Sequence, residues 1–270
     1  MMEVKVLDLN CKEIGRLGLE IEKIKIREDL IKRAFLATQS KKRQPYGADK
    51  LAGKRTSAHY HGRRDERWSM MNREMARMPR IHGKAPPNLI WEARFVPQAR
   101  KGREAHPPKV EKVWEQKINK KERRQAILSA IAASLIAEWV KKRGHKIEEV
   151  KVYPIVVEDE IEKISKTKQL KEFLEKIGLK KELERAKKKK VRAGKGKLRG
   201  RRYKKKKSIL FVISEDRGIS KAVKNLPGCN VARVENLSVE YLAPGGMPGR
   251  ITVWSESALK KLKERVLKNL

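Results

Sequence analysis

Three groups of side chains in this 270-residue sequence are equipped for chemistry: lysines beside glycines, a few histidines, and a large excess of arginine. The lysine and glycine groups point first to phosphate. GADKLAGKRTS, residues 47–57, approaches the loop that wraps a nucleotide phosphate in backbone N–H groups. Its spacing fails, because Gly47 and Gly53 enclose five residues instead of four, and Lys54 is followed by Arg55 instead of Ser or Thr. GKGKLRG carries Gly194, Gly196 and Gly200, yet lysine runs flank it where a dinucleotide site needs a strand and a helix. His59 and His61 make half a metal site; no cysteine, histidine or carboxylate pair stands nearby at a zinc-finger spacing, so no metal is expected. Cys11 and Cys229 have no local histidine, no serine lies in a nucleophile-elbow setting, and two cysteines do not make a disulfide scaffold. Asp8, beside Asn10, reads as a turn residue. No catalytic residue and no cofactor are expected.

What remains is arginine interleaved with aromatics. Arg offers a planar fork to phosphate and stacks on bases, while Tyr and Trp offer platforms for unstacked bases. Between 41 and 110 the candidate contacts are Arg43, Tyr46, Lys54, Arg55, His59, Arg63, Arg64, Arg67 and Trp68. Arg73, Arg77, Arg80, Arg94, Arg100 and Arg103 continue the set. A second set is Lys195, Lys197, Arg199, Arg201 and Arg202, where lysines neutralise backbone and glycines let the chain approach it closely. The charge agrees: 69 Lys and Arg against 33 Asp and Glu leave +36, which favours a polyanionic partner. Residues 41–110 hold 18 basic and 6 acidic side chains, and residues 181–207 hold 16 and 2. An anionic membrane is the poorer partner, because the run AKKKKVRAGKGKLRGRRYKKKK has no continuous apolar face. No stretch of 18 apolar residues exists and MMEVKVLDLN lacks a basic-then-apolar leader, so the cytosol is the expected compartment.

The elements that must position these residues are legible from periodicity. Val4 and Val6 predict a first strand, and Gly15–Ile21 a second. A helix starts at a capping Asp29 and ends near Ser40. Periodicity then stops until about Asn119, apart from a possible helical turn at Arg73–Arg77. Seven of the eleven prolines lie in this gap with Tyr46, Tyr60, Trp68, Trp91 and Phe95. Disordered linkers are poor in aromatics, so an extended loop that becomes ordered inside a partner is the better reading. NKKE, with Glu122 three after Asn119, predicts a capping box and a helix to Arg143. Then follow a strand at 150–157, a helix from Thr167 to Ile177 closed by Gly178, a short helix at ELERA, and a strand at 208–213. GISKAVKNL is a helix, Val231–Val234 a strand, Asn236–Leu242 a helical turn and ITVW the last strand. Ser255 or Ser257 caps a final helix to about Asn269. A helix between the strands at 208–213 and 231–234 marks a βαβ unit, hence an α/β fold with a mostly parallel sheet.

Several long strings resemble one family. KRQPYGADKLAGKRTSA (42–58), NREMARMPRIHG (72–83), ARFVPQARKGREAHPPKVEK (93–112) and WEQKINKKERRQAILSAIAA (114–133) are similar to large-subunit ribosomal proteins, number four of the universal set, in their archaeal form. RAGKGKLRGRRYKKKKSIL (192–210) and LAPGGMPGRITVWSESAL (242–259) continue the resemblance, while 155–185 carries no such signature. The resemblance implies a non-catalytic structural constituent of the large ribosomal subunit, in the cytoplasm, that binds 23S-type rRNA early in assembly beside neighbouring ribosomal proteins. It implies a Rossmann-like three-layer domain, residues 1–40 and 111–270, with a basic insertion at about 187–207. It further implies that residues 41–110 form a loop penetrating rRNA. The tip, near Arg63–Arg80, would approach the nascent chain in the exit tunnel. No membrane and no homo-oligomer are expected. Arg73, Arg77 and Arg80 are expected to position RNA near the tip. The alternatives are a general basic nucleic-acid-binding protein and an RNA-acting enzyme on a Rossmann-like domain.

Overall fold

Alternation at Val4 and Val6 folds as β1 (Met2–Leu7), which turns into the antiparallel β2 (Glu13–Leu19) in a computed structural model describing residues 2–19 and 24–264. α1 (Glu28–Lys41) buries Leu30, Ile31, Ala34 and Ala37, spaced in ones, threes and fours. The chain next forms α2 (Lys120–Leu135), α3 (Ala137–Lys142), β3 (Ile155–Val157), α4 (Thr167–Ile177) and α5 (Lys180–Lys187). A short hairpin, β4 (Lys190–Val191) with β5 (Tyr203–Lys204), precedes β6 (Leu210–Ile213), α6 (Ile219–Lys224) and β7 (Asn230–Arg233). α7 (Val239–Leu242), β8 (Thr252–Ser255) and α8 (Glu256–Leu262) complete it.

Six strands form one sheet in the order β2-β1-β3-β8-β6-β7. Only β1 and β2 pair antiparallel; the other neighbours are parallel. The fold is α/β with a mostly parallel sheet, and β6, α6 and β7 form the expected βαβ unit. The strand order is neither of the two common doubly wound orders. Both faces of the sheet are buried, which explains why ILFVI reads as an unbroken apolar run. Leu210 and Val212 join Val4, Val6, Val156 and Trp254 against α1, α2, α7 and α8. Phe211 and Ile213 point the other way, joining Ile155, Val157 and Val253 against α4 and α6.

Several local expectations are corrected. The helix expected from Asn119 to Arg143 breaks at Ile136, whose φ of −101° and ψ of 121° are extended. The Ser134 carbonyl there accepts the Tyr153 hydroxyl and, at 3.5 Å, the Thr252 hydroxyl, so side chains take an acceptor that a continuing helix would have used. Asn119 makes no side-chain cap; Glu122 reaches Arg33 at 2.9 Å instead. Asp29 sits inside the first turn of α1, 2.6 Å from Arg27. The strand expected at 150–157 shrinks to Ile155–Val157, since Pro154 lacks a ladder donor and residues 151–154 bend. Arg73–Arg77 form no helical turn. Ser255, not Ser257, caps α8, accepting the Ala258 N–H at 3.3 Å. Ile21, the expected end of β2, and residues 265–269, the end of the expected final helix, lie outside the described residues.

Two compact units result, Met1–Lys41 with Glu115–Leu270, and Lys42–Trp114. Where the first unit is interrupted, the Ser40 hydroxyl accepts the Gln116 N–H at 2.9 Å and Lys41 pairs with Glu115 at 2.8 Å. The second unit has no α-helix and no strand longer than an isolated bridge. Turns and two bridges, His59 with Arg80 and Arg80 with Ala93, set its path. Gly53, at φ 72°, lies so close to the Gly102 backbone that a Cβ would collide with it. Five larger residues here, Trp68, Asn72, Trp91, Phe95 and Lys101, also hold positive φ between 58° and 73°. For bulky side chains that conformation is costly and persists only where surroundings over-determine it.

Candidate nucleic-acid interface

Aromatic rings in the second unit carry guanidinium groups. Tyr46 stacks on Trp114 with centroids 5.4 Å apart, and Arg43 lies 3.9 Å from the Trp114 ring centre. Lys112 approaches the same ring at 4.4 Å. Trp68 packs against Trp91 at 5.5 Å; Arg67 lies over Trp68 at 5.3 Å and Arg73 over Trp91 at 4.2 Å. Stacking fixes the plane of a guanidinium while leaving N–H groups to meet acceptors. A cleft of about 710 Å³ in the same unit is lined by both signs of charge, Lys50, Lys54, Arg103 and Lys109 with Asp49, Glu104 and Glu111.

The predicted arginines divide by what they touch. Arg80 is half-buried and donates to the Trp91 carbonyl at 2.7 Å and the Ala76 carbonyl at 3.1 Å. Arg73 donates to the Ser69 carbonyl at 3.0 Å. Arg94 donates to Glu92 at 2.7 Å and the Arg100 carbonyl at 3.3 Å. The half-buried Arg80 and Arg94 and the exposed Arg73 all brace the unit's own backbone. Arg55 pairs with Asp49 at 2.5 Å, Arg100 with Glu92 at 3.3 Å and Arg63 with Glu66 at 3.9 Å, all with exposed arginines. Arg64 and Arg77 are exposed. Lys195, Lys197, Arg199, Arg201 and Arg202 crowd the tip and outgoing arm of the β4–β5 hairpin, all exposed. The Arg192 side chain closes that hairpin by donating to the Arg201 carbonyl at 2.9 Å. The exposed side chains among those expected to meet RNA thus fall in two places, the 42–114 unit and the β4–β5 hairpin.

The sequence reading missed three groups. His82 stands beside His59 and His61, with ring centroids 4.3 and 4.6 Å away; it is 21 residues from His61, beyond any local spacing signal. Burial and the charges of His59 and His61 hold its pKa below the ordinary histidine value. Glu182 is buried and accepts from Arg185 at 2.6 Å, His145 Nδ1 at 2.8 Å, the Ser208 hydroxyl at 2.8 Å and the Lys146 N–H at 3.1 Å. Burial pushes this carboxyl up, but bonds from Arg185 and His145 outweigh it and hold the pKa at about 2. Arg250 is buried without a carboxylate and donates to the carbonyls of Ser208 at 2.6 Å and Tyr241 at 2.8 Å, and to Asn230 Oδ1 at 2.8 Å. Burial lowers its pKa to about 10.

The carboxyl end of the parallel strands is where α/β folds hold ligands. Here the Glu162 carboxylate occupies it, accepting the Ser214 N–H at 2.7 Å, the Glu215 N–H at 3.3 Å and the Ser255 hydroxyl at 2.8 Å. An internal anion takes the donors that a nucleotide phosphate would need. The Cys229 thiol is pushed up to about 12 by burial, which removes it as a thiolate nucleophile. No helix among the described residues is long and apolar enough to cross a membrane.

Comparison with known proteins accords with a basic, non-catalytic surface. A profile described as the ribosomal protein L4/L1 family matches residues 17–265. The chain is 48% identical to large ribosomal subunit protein uL4 of Nanoarchaeum equitans, covering 98% of this chain and 99% of the relative. Identity to the proteins of that name is 47% in Methanocaldococcus jannaschii and 45% in Methanopyrus kandleri, each again covering 98% of this chain and 99% of the relative. The match spans both basic surfaces and the sheet alike, and on that ground the chain belongs to the ribosomal protein L4/L1 family.

Proposed function

We propose that this chain organises large-subunit rRNA through two basic surfaces, the 42–114 unit and the β4–β5 hairpin, while the α/β body anchors them. It is a structural, non-enzymatic constituent of the large ribosomal subunit. The observation that carries the RNA-binding reading is the 42–114 unit itself. Rings and internal arginines give it a fixed path without α-helix or sheet, and exposed arginines lie along that path. Such order before binding reduces the entropy lost on threading RNA. The body belongs to the Rossmann-like class in the sense of helices on both faces of a mostly parallel sheet. The tip near Arg63–Arg80 lies by the nascent polypeptide, as the family resemblance implies. Met70 is buried within the unit, while Arg63, Arg64, Arg67, Arg73 and Arg77 are among the exposed tip side chains. Neighbouring large-subunit proteins complete the surroundings.

Sedimentation of cell extract on a sucrose gradient, before and after a high-salt wash, tests this reading. Near-stoichiometric retention on the large subunit after the wash is expected. Release at modest salt would leave a general nucleic-acid binder as the better account. Hydroxyl-radical footprints on the rRNA, with and without Arg64→Ala and Arg77→Ala, then locate the loop contacts.

A further inference from the structure

Three imidazoles meet where two stretches of the 42–114 unit run side by side. Arg80 bridges His59, and the backbone N–H of Arg80 donates to the His59 carbonyl at 3.2 Å. His61 follows His59 by two positions and His82 follows Arg80 by two, so extended backbone turns all three rings to one side. Their ligand nitrogens lie within 4.8 Å of one another, and Nε2 of His61 is hydrogen-bonded to Nε2 of His82 at 2.8 Å, so the proton between them must move to His82 Nδ1 or to solvent when a cation takes both nitrogens.

The bonds behind the rings decide which nitrogen is offered. His59 Nδ1 is 3.1 Å from the Ser57 carbonyl, which only accepts, so Nδ1 carries the proton and Nε2 the lone pair. His61 Nδ1 is 3.3 Å from the Glu66 carboxylate, which again assigns the proton to Nδ1 and the lone pair to Nε2. A carboxylate or carbonyl behind a ring whose other nitrogen faces inward is the arrangement that orients metal-ligating histidines. Trp68 stacks on His82, 5.8 Å between centroids and 10° from parallel, fixing the third ring.

We infer that His59, His61 and His82 form a binding site for one divalent cation of the zinc class, with Glu66 and the Ser57 carbonyl orienting two of the ligands. Three imidazole nitrogens suit Zn²⁺, which is four-coordinate; a water completes the set in the RNA-free protein. Zn–N bonds of about 2.0–2.1 Å place tetrahedral nitrogens about 3.3 Å apart, so the His61–His82 pair opens by roughly half an ångström on binding. The cation pins residues 57–61 to 80–82, which the one isolated bridge of His59 with Arg80 also joins. The net positive charge of the surrounding segment opposes a cation, and Glu66 is the carboxylate that offsets it locally. This inference does not rest on the ribosomal reading and stands or falls apart from it.

The test uses the full chain, stripped of nucleic acid and metal. Zn²⁺ is titrated by calorimetry, and Co²⁺ by its tetrahedral d–d absorption. One equivalent is expected to bind. Affinity should fall at least 100-fold in His82→Ala and about 10- to 100-fold in Glu66→Gln, which keeps all three ligands. His106→Ala, outside the cluster, should match the parent. A Zn²⁺ affinity unchanged in His82→Ala, or no binding tighter than that of a chain lacking all three histidines, overturns the site. Because a variant can misfold, the parent is also followed by ¹⁵N-histidine NMR. Zn²⁺ should move the Nε2 resonances of His59 and His61 while their Nδ1 stays protonated. Unmoved resonances overturn the proposal even if Cys11 or Cys229 takes up metal.

Discussion

Arginine does two opposite jobs in this chain, and burial separates them. Arg250 is among the largest fully buried side chains, and backbone carbonyls and Asn230 satisfy its guanidinium. Replacing it by Ala strands those acceptors in the core. Arg250→Ala is expected to destabilise the chain by about 3–5 kcal/mol in urea unfolding, because buried carbonyls lose their donor at ~1–3 kcal/mol each and a cavity is left behind. Exposed arginines behave otherwise. The double substitution of Arg64 and Arg77 by Ala should leave stability within about 0.5 kcal/mol. It should reduce the slope of log affinity for rRNA against log salt by roughly 1.5, about 0.7–0.9 for each lost phosphate contact. Arg80 sits between these extremes, because its donors hold the Trp91 and Ala76 carbonyls. Arg80→Ala should speed limited proteolysis of 42–114 before it alters the salt slope. Substituting Arg73, Arg77 and Arg80 together would mix bracing with surface charge. None of this division was legible in the sequence, where all arginines look alike. It depends on contacts such as Arg80 to Trp91, made across a loop with no periodicity.

Among the elements, α5 shows how a helix can be held by one carboxylate. Glu182 joins α5 to His145 after α3 and to Ser208 before β6. Its folded pKa of about 2 lies below the ordinary value of 4.5. The stabilisation is therefore full above about pH 4.5 and is lost as pH falls through about 2, roughly 3 kcal/mol in all. His145, held below its ordinary pKa by burial, loses stability in the same direction as it is forced to protonate. Glu182→Gln should start less stable and show a flatter acid limb; equal acid limbs in both proteins would refute the assignment. The hairpin is the opposite kind of element, with almost nothing buried. Converting Lys195, Lys197, Arg199, Arg201 and Arg202 to Ala should leave the melting temperature of the free protein unchanged and lower the salt slope by roughly 4. The sequence was a good guide where one physical signal dominated. The apolar run at 208–213, the threes-and-fours spacing in α1, and Gly178, which closes α4 at φ 96°, all folded as read. It failed where a distant group took over a local one, as when Tyr153 and Thr252 claimed the Ser134 carbonyl and ended α2. Glu122 likewise abandoned a capping role for Arg33, 89 residues away.

At the scale of the molecule, the chain separates stability from recognition. Apolar side chains on both faces of the sheet hold the body, while the 42–114 unit places its arginines and rings outside any sheet or helix. Mostly parallel sheet and βαβ unit were readable because alternation of strand and helix leaves a periodic trace. Strand order and the histidine trio were not, because both depend on pairings far apart in the chain. Replacing 42–114 by a short Gly-Ser linker should leave a body that unfolds cooperatively in urea but no longer enters mature large subunits; loss of cooperative unfolding would show the two units to be one. The neck explains why such a cut is feasible. Ser40 meets Gln116 and Lys41 meets Glu115, so the chain departs and returns at a single point. Descendants of this gene can therefore lengthen, shorten or rewrite the insert as a cassette. The strands beneath keep their register, much as a tool can be changed without rebuilding its handle.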